Sequence, residues 1–302
     1  MVNSVANLLV VLALAPLLPG VIGKTKAFVA GRSGPPVLQA YYDLARLFRK
    51  GFVVSRTATW VFLAGPVLSA VAPLVAALLL PLGGRPALLS FTGDMLLFVS
   101  VFALARFFVA AAAMDTGSPF EGMGAAREVT FSALAEPALL FGMLALTRLS
   151  GSLSLTGMLD IRAAGAWHKA SASIVLILAS WFIVLLAENA RLPFDDPNTH
   201  LELTMIHEVM VLDHAGPALG FILYGAALKL TVFAALLVTL LVPARSGGGA
   251  FDLALFAGGL LGVGVVVGLV ESSMARLRLV RVPQLLVTAT LLAGFAVVLL
   301  VR

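Results

Sequence analysis

The chain has 302 residues, of which 61% are hydrophobic and 12% are charged, and its formal net charge is +5. Its mean hydropathy of +1.06 excludes an ordinary soluble domain, because apolar runs of about 20 residues are long enough to cross a bilayer as helices. The chain has no cysteine, which excludes disulfides and any thiolate ligand to a metal or an iron–sulfur cluster.

The apolar segments predict the fold class. They have helical length and are rich in Leu, Ala and Val, which favours helices over a barrel of short alternating strands. The sequence therefore predicts an all-α polytopic membrane protein that forms a single transmembrane domain over 1–302. About eight spans are predicted, at 2–22, 57–81, 94–114, 127–149, 168–187, 218–242, 252–270 and 283–301.

The distribution of basic residues predicts the orientation. The first residues carry no Lys or Arg, unlike a cleaved signal peptide, so we expect the first helix to be retained. Twelve of the 20 Lys and Arg residues fall in loops on one side of the membrane, and six fall on the other side. The richer loops are 24–56, 115–127, 188–217 and 271–282. The positive-inside rule makes these loops cytoplasmic and places both termini outside, in a multi-pass protein of the plasma membrane. The basic charge then reflects orientation, and nothing indicates a nucleic-acid surface.

The first cytoplasmic loop contains an amphipathic segment, PPVLQAYYDLARLFRKG at 35–51. Apolar residues recur at three- and four-residue spacing, while Asp43 and Arg46 fall on the other face. The pattern predicts a helix that lies along the cytoplasmic interface of the membrane. It leaves two roles open, a simple surface anchor and the rim of a lateral opening or docking surface for a peripheral subunit.

Three ionisable residues, Arg106, Glu136 and Lys229, fall near the centres of predicted spans. Charges there are costly, so we expect them to face the bundle interior and either pair or line water. Glu128 and Ser132 precede Glu136 at i−8 and i−4, which places all three on one helix face next to Pro137. A polar stripe that ends at a buried acid is typical of a proton half-channel. The alternative is a buried salt bridge that only fixes helix register.

The stretch AENARLPFDDPNTHLELTMIHE, 187–208, concentrates acidic residues. Five of the fifteen acids of the chain lie in it, namely Glu188, Asp195, Asp196, Glu202 and Glu208. A partly buried helix is predicted from about 197 to 212, which makes the acidic loop helical. Acids that lie close together cannot all be ionised, so some titrate toward neutral pH and can relay protons. The alternative is a solvated acidic loop.

Two metal-enzyme interpretations are weak. HEVMV at 207–211 lacks the second histidine of H-E-x-x-H, because Val211 stands in its place. His200, His207 and His214 are seven residues apart, which is too far for a compact metal site on one helix, so core or hydrogen-bonded histidines are favoured. We expect no redox centre and no metal in this chain and therefore name no catalytic residue. Whether the chain is part of an enzyme stays open at this point.

Three segments carry a family resemblance: GRSGPPVLQAYYDLARLFRKG at 31–51, MDTGSPFEGMGAAREVTFSALAEPALL at 114–140 and ENARLPFDDPNTHLELTMIHE at 188–208. Together they resemble the membrane subunit of formate hydrogenlyase and other membrane-bound nickel–iron hydrogenases, which is similar to subunit 1 of complex I. The resemblance implies a non-catalytic subunit that anchors a hydrophilic redox arm and couples its electron transfer to proton or sodium translocation. The implied partners are the hydrogenase large and small (iron–sulfur) subunits and antiporter-like membrane subunits. The nickel–iron centre and the iron–sulfur clusters would belong to those partners.

The resemblance also implies site residues, to which the sequence pattern itself adds Lys229, His200 and His207. The predicted proton path comprises Glu128, Glu136, Glu188, Asp195, Glu202, Glu208 and the intramembrane Lys229. The predicted interface or cavity comprises Arg32, Asp43, Arg46, Asp115, Arg191, Asp196, His200 and His207. Complex I usually reads F-D-L-P-E where this chain has Asp196 in place of the leucine, which favours the hydrogenase branch. The alternatives are a quinone-site subunit of a complex I-like NADH:quinone oxidoreductase, an independent secondary transporter and a purely structural anchor.

Overall fold

The computed structural model describes residues 2–160, 166–195, 205–242 and 249–301. Within these ranges the chain is built from α-helices with short connections and contains no strand. The helices are α1 (Val2–Leu14), α2 (Leu17–Val29), α3 (Gln39–Phe48), α4 (Trp60–Leu79), α5 (Asp94–Asp115), α6 (Pro119–Ser150), α7 (Leu155–Leu159), α8 (Ala166–Lys169), α9 (Ser171–Glu188), α10 (Gly216–Leu241), α11 (Gly249–Ser273) and α12 (Val282–Val301). Two 3₁₀-helices, Glu208–Val211 and Leu279–Arg281, precede α10 and α12.

The prediction of eight membrane spans is confirmed. Among the described residues, α4, α5, α6, α9, α10, α11 and α12 are each long and apolar enough to cross a membrane. The pair α1 and α2, bent by 45° at its break, makes the eighth span when the two helices are counted as one broken span. The sequence predicts one continuous first span at 2–22, and the difference arises at Pro16, which has no N–H to continue the helix. The protein is therefore a multi-pass membrane protein.

Helix α6 begins eight residues before the predicted start at position 127. Pro119 occupies the first turn, where its missing N–H costs nothing, and Gly151 ends the helix at a positive φ of 70°. Glu128 and Glu136 therefore both lie well inside one continuous helix of 32 residues. The spacing of the polar stripe is therefore preserved from the end of the bundle to its interior.

Helix α10 lies at the centre of the bundle and contacts α2, α3, α4, α9 and α11. Its apolar segment is 72% buried inside the protein, the largest share among the described spans. Gly225 permits a close approach to α4, since a Cβ there would lie 2.2 Å from the Ser69 carbonyl oxygen. Lys229 follows one turn later, so this contact fixes its depth in the bundle.

The predicted amphipathic helix forms as α3, within the boundaries 35–51. The Phe48 ring meets Phe221 of α10 edge to face at a centroid distance of 5.4 Å. Of the helix predicted at 197–212, the described residues begin at Met205, and Glu208–Val211 forms a 3₁₀-helix rather than an α-helix. Asp196, His200 and Glu202 lie outside the described residues.

Candidate functional site

Arg106 of α5 joins two carboxylates inside the bundle. Its Nη1 donates to Glu136 of α6 at 2.7 Å, and its Nη2 donates to the two carboxylate oxygens of Glu188 at 3.2 and 3.3 Å. The Arg106 side chain is only 11% exposed, so both ion pairs form largely away from water. Opposite charges are required there, because a lone guanidinium would carry its full desolvation penalty.

Lys229 of α10 completes what we call the interior network, which consists of Arg106, Glu136, Glu188 and Lys229. The Lys229 Nζ lies 2.7 Å from the second Glu188 oxygen. Glu188, the last residue of α9, is 3% exposed and therefore sits between two cations from two other helices. The prediction that the three intramembrane charges pair is confirmed. The common partner of Arg106 and Lys229 is Glu188, an acid that the sequence assigns to the loop.

Three cavities lie next to the network. The largest offers about 80 Å³ to water centres and is lined by Glu128, Arg106, Glu188, His207 and Lys229 among others. A cavity needs roughly 10–15 Å³ of such space for one water, so several fit here. Two smaller cavities of about 10 Å³ each share lining residues with it. One touches Asp195, Glu128, Ser132 and Glu188, and the other touches Arg106, Glu136 and Glu188. Glu188 borders all three.

The stripe predicted on α6 is buried in the described structure. Glu128 is 9% exposed and Ser132 is 5% exposed, and both line the cavities next to Glu188. The Glu136 side chain is 32% exposed, although it lies in the middle of a membrane span. The stripe therefore runs from the buried Glu128 and Ser132 to the partly exposed carboxylate of Glu136.

Asp195 closes the acidic loop on itself. It is 2% exposed, and its Oδ2 accepts hydrogen bonds from the backbone N–H groups of Ile206 at 3.0 Å and His207 at 3.2 Å. Its Oδ1 lies 3.0 Å from Arg276, beyond the end of α11. One carboxylate thus ties together the two described ends of the loop and the segment that follows α11.

Arg191 and Glu271 fix the start of the same loop. Arg191 lies 3.5 Å from Glu271 of α11, and Lys26 of α2 lies 2.8 Å from the other Glu271 oxygen. The Leu277 N–H donates to the Pro193 carbonyl at 2.9 Å. We call Lys26, Arg191, Asp195, Glu271 and Arg276 the loop clamp. Glu271 is not among the predicted site residues. An acid at the end of a long apolar run nevertheless indicates that it pairs with a basic residue.

The remaining predicted interface residues lie away from the interior network. Asp43 and Arg46 pair on α3 at 2.7 Å, with side chains 37% and 68% exposed. Arg32 lines an open groove beside Lys26 and Ser33. Asp115 accepts from the Thr59 N–H at 2.6 Å and from its hydroxyl at 3.0 Å, which joins the end of α5 to the start of α4. Its described contacts are therefore structural.

The segment before α10 holds two predicted residues and one buried histidine. His207 is half-buried at the largest cavity, and Glu208 begins the 3₁₀-helix. His214 stacks on Phe62 at a centroid distance of 4.0 Å, and burial lowers its pKa from 6.5 to about 4. No group of three His, Asp or Glu side chains in the described ranges could hold a metal ion.

Fold and site together define an integral membrane protein with a largely buried charge network beside cavities inside a helical bundle. Within that class, the chain belongs to the NADH dehydrogenase family, whose model matches residues 2–302. Formate hydrogenlyase subunit 4 of Escherichia coli (strain K12) is 33% identical over 92% of this chain and 91% of that protein. Hydrogenase-4 component C of the same organism is 32% identical over 80% of this chain and 75% of that protein.

Two further similarities are at lower sequence identity. One subunit of the NADH-quinone oxidoreductase of Rubrobacter xylanophilus is 27% identical over 67% of this chain and 63% of that protein. A chain of the membrane-bound sulfane sulfur reductase, an archaeal respiratory membrane complex, superposes with a TM-score of 0.85 over 99% of this chain and 98% of its own length. At 19% identity, that similarity shows a shared fold.

Proposed function

We propose that this chain is the membrane subunit of a hydrogenase- or formate hydrogenlyase-type complex. It anchors a hydrophilic redox arm and couples electron transfer in that arm to translocation of protons or sodium ions. One observation carries the proposal: Glu188 borders two cavities, of which one is also lined by Asp195 at the loop and the other by Glu136 in the middle of α6. A structural anchor would need the ion pairs but not the cavities.

The similarities favour this function over a quinone-site subunit of a complex I-like oxidoreductase. The formate hydrogenlyase subunit matches at higher identity and over more of the chain than the quinone oxidoreductase subunit does. The acidic loop points the same way, since Asp196 stands where complex I usually has leucine. Glu188 between Arg106 and Lys229 also argues for ion coupling, because two cations at one carboxylate make the site sensitive to any added or removed charge.

In the proposed path, protons enter at the acidic loop. Asp195, Glu202 and Glu208 receive them, and Glu128 and Glu188 pass them along the cavities to Glu136. Water in the cavities bridges the carboxylates, while Arg106 and Lys229 stabilise the anions between transfers. Because Glu136 is a third exposed in mid-membrane, a neighbouring membrane subunit of the antiporter-like kind would receive the proton there.

The redox arm would dock on the cytoplasmic side, which we assign to the loops rich in Lys and Arg, with both termini outside. Arg32, Asp43, Arg46, Asp115, Arg191, Asp196, His200 and His207 would form the interface or the cavity beneath it. The nickel–iron centre and the iron–sulfur clusters would belong to the hydrogenase large and small subunits.

Mild-detergent purification through this chain should then retain nickel and iron, whereas flavin with bound quinone and no nickel would favour the complex I alternative.

The coupling role is tested by Glu136→Gln in sealed inverted vesicles that contain the whole complex. This variant keeps the shape of the side chain, and Arg106 keeps its second partner Glu188. We expect normal assembly and normal electron transfer from the donor, with ion translocation per turnover reduced at least about tenfold, as for loss of a required proton carrier. Arg148→Gln removes an exposed charge from the same helix and serves as the control.

Two outcomes would contradict the proposal. If Glu136→Gln translocates ions as the parent does, Glu136 is not part of the path. If Arg148→Gln lowers translocation equally, the effect belongs to the stability of α6 rather than to proton transfer. Glu202→Gln then tests the entry of the path by the same assay, with the same expected loss.

A further inference from the structure

The break in the first span is held by tyrosines from two other helices. Pro16 has no N–H, so the Leu12 carbonyl four residues earlier loses its helical hydrogen bond. The hydroxyl of Tyr224 in α10 donates to that carbonyl at 3.3 Å. The hydroxyl of Tyr41 in α3 donates to the carbonyl of Ala13, in the last turn of α1, where carbonyls have no partner further along their own helix.

The position of the break makes these hydrogen bonds necessary. Helix α1 has 13 residues and therefore rises about 20 Å, while the hydrocarbon core of a bilayer is about 30 Å thick. A span that begins at the membrane surface with Val2 places both freed carbonyls within that depth, where a bilayer supplies no bulk water. Neighbouring side chains must supply the donors. Burial also raises the pKa of Tyr41, so its phenol remains protonated and able to donate at neutral pH.

The two tyrosines belong to elements that the site depends on. Tyr224 precedes Gly225, which packs against α4, and lies five residues before Lys229 of the interior network. Tyr41 lies on α3, the helix at the membrane surface. Beyond the break, α2 carries Lys26, which binds Glu271 of the loop clamp. The angle between α1 and α2 is therefore linked by direct contacts to both charge clusters.

We propose that Tyr41 and Tyr224 are positioning residues that fix the bend of the first span, and that their hydrogen bonds to α1 couple displacements of α3 and α10 to the angle between α1 and α2. The inference rests on the break and its hydrogen bonds and does not depend on the proton path. Removing both hydroxyls should leave α1 and α2 without a defined angle. Replacing Pro16 should remove the need for the Tyr224 hydroxyl, since alanine returns an N–H to the Leu12 carbonyl.

The absence of cysteine allows a direct distance measurement in the full chain. Cysteines at Leu9 and Phe28, which are 60% and 85% exposed, would carry spin labels on α1 and α2. A straight helix would separate the two Cα atoms by about 28 Å, and the bend shortens this distance. We expect one narrow distance distribution in the parent complex and a broadened or longer one in the variant with Tyr41→Phe and Tyr224→Phe. Tyr42→Phe removes a hydroxyl from the exposed side of α3 and should change nothing.

The Pro16→Ala background decides whether loss of the hydrogen bond between Tyr224 and the Leu12 carbonyl causes the broadening. There, Tyr224→Phe should no longer change the distribution. An unchanged distribution in the double tyrosine variant would overturn the proposal. Equal broadening by Tyr224→Phe with Pro16 and with Ala at that position would also overturn it, because the tyrosine would then act through packing. If the double variant does not assemble, the single Tyr224→Phe variants in the two backgrounds give the same decision.

Discussion

The interior network and the loop clamp use the same arrangement of charges at two levels of the bundle. In each, a glutamate that is almost inaccessible lies between two cations from different segments. Glu188 is 3% exposed between Arg106 and Lys229, and Glu271 is 0% exposed between Lys26 and Arg191. Burial and pairing therefore do not distinguish a structural contact from a transport site in this protein.

What differs is the space around each glutamate. Glu188 borders three cavities and leads to Glu136, whereas Glu271 is joined to a loop that backbone hydrogen bonds also hold, such as Leu277 to Pro193. A buried carboxylate that touches water space can exchange protons, while one enclosed by cations and backbone can only hold elements together. We therefore expect the interior network to govern coupling and the loop clamp to govern the position of the loop.

The largest expected effect comes from Glu188→Ala. The change leaves Arg106 and Lys229 without their shared partner in a mostly buried setting, and removal of one partner from a buried ion pair costs about 3–5 kcal/mol. Thermal or denaturant unfolding of the purified complex in detergent measures the loss. Glu136→Gln is the matched control and should cost much less, because Arg106 keeps Glu188. Equal stability of Glu188→Ala and the parent would show that the network does not hold the bundle.

Glu271→Ala should have the second largest effect. Its cations, Lys26 and Arg191, are 27% and 17% exposed, so water partly compensates them and the expected loss is about 2–3 kcal/mol. Amide hydrogen exchange at residues 191–195 should accelerate more than exchange within α6. Lys26→Met leaves the contact between Arg191 and Glu271 in place. It should therefore accelerate exchange at residues 191–195 less than Glu271→Ala does. Unchanged exchange in Glu271→Ala would contradict the role of the clamp.

Acidification tests whether His214, in the segment before α10, is buried away from water. Because burial lowers the pKa of His214 from 6.5 to about 4, the unfolded chain binds a proton before the folded chain does as pH falls. The stability is complete above pH 6.5 and falls through the window from 6.5 to about 4, by about 2 kcal/mol at pH 5. The measurement is unfolding at pH 8 and pH 5. His214→Phe keeps a ring against Phe62 and should remove this part of the pH dependence. An identical pH dependence in both proteins would show that His214 does not cause the loss of stability.

The fold was predictable because hydropathy alone specifies spans of about 20 residues, and the amphipathic spacing of 35–51 specifies α3. The pairing of Arg106, Glu136 and Lys229 was predictable for a similar reason, since isolated charges do not persist in a bilayer. The break at Pro16 carried a signal in the proline itself. The sequence could not show that Tyr41 and Tyr224 complete this break, because those contacts link residues 28 and 212 positions apart.

The partners of Glu188 and Glu271 were likewise beyond the sequence. The last residue of a helix can contact either the following loop or the bundle, and the sequence does not show which. Glu188 was for that reason assigned to the acidic loop. Glu271 was not predicted as a site residue because no other acid lies near it in its segment of the sequence. Its partners come from α2 and from the loop after α9, and such long-range ion pairs have no local pattern.

The smallest expected effect on stability comes from Asp43→Ala, and it separates anchoring from folding. The pair of Asp43 and Arg46 is three residues apart on an exposed helix face, where such pairs contribute about 0.2–0.5 kcal/mol. Unfolding should therefore be nearly unchanged in Asp43→Ala and in Arg46→Glu. If α3 is part of the docking surface, Arg46→Glu should nevertheless release the hydrophilic arm during mild-detergent purification, because it reverses a charge that points away from the bundle. Full retention of the arm with unchanged stability would restrict α3 to membrane anchoring, and the docking surface would then have to lie on the loop held by the clamp.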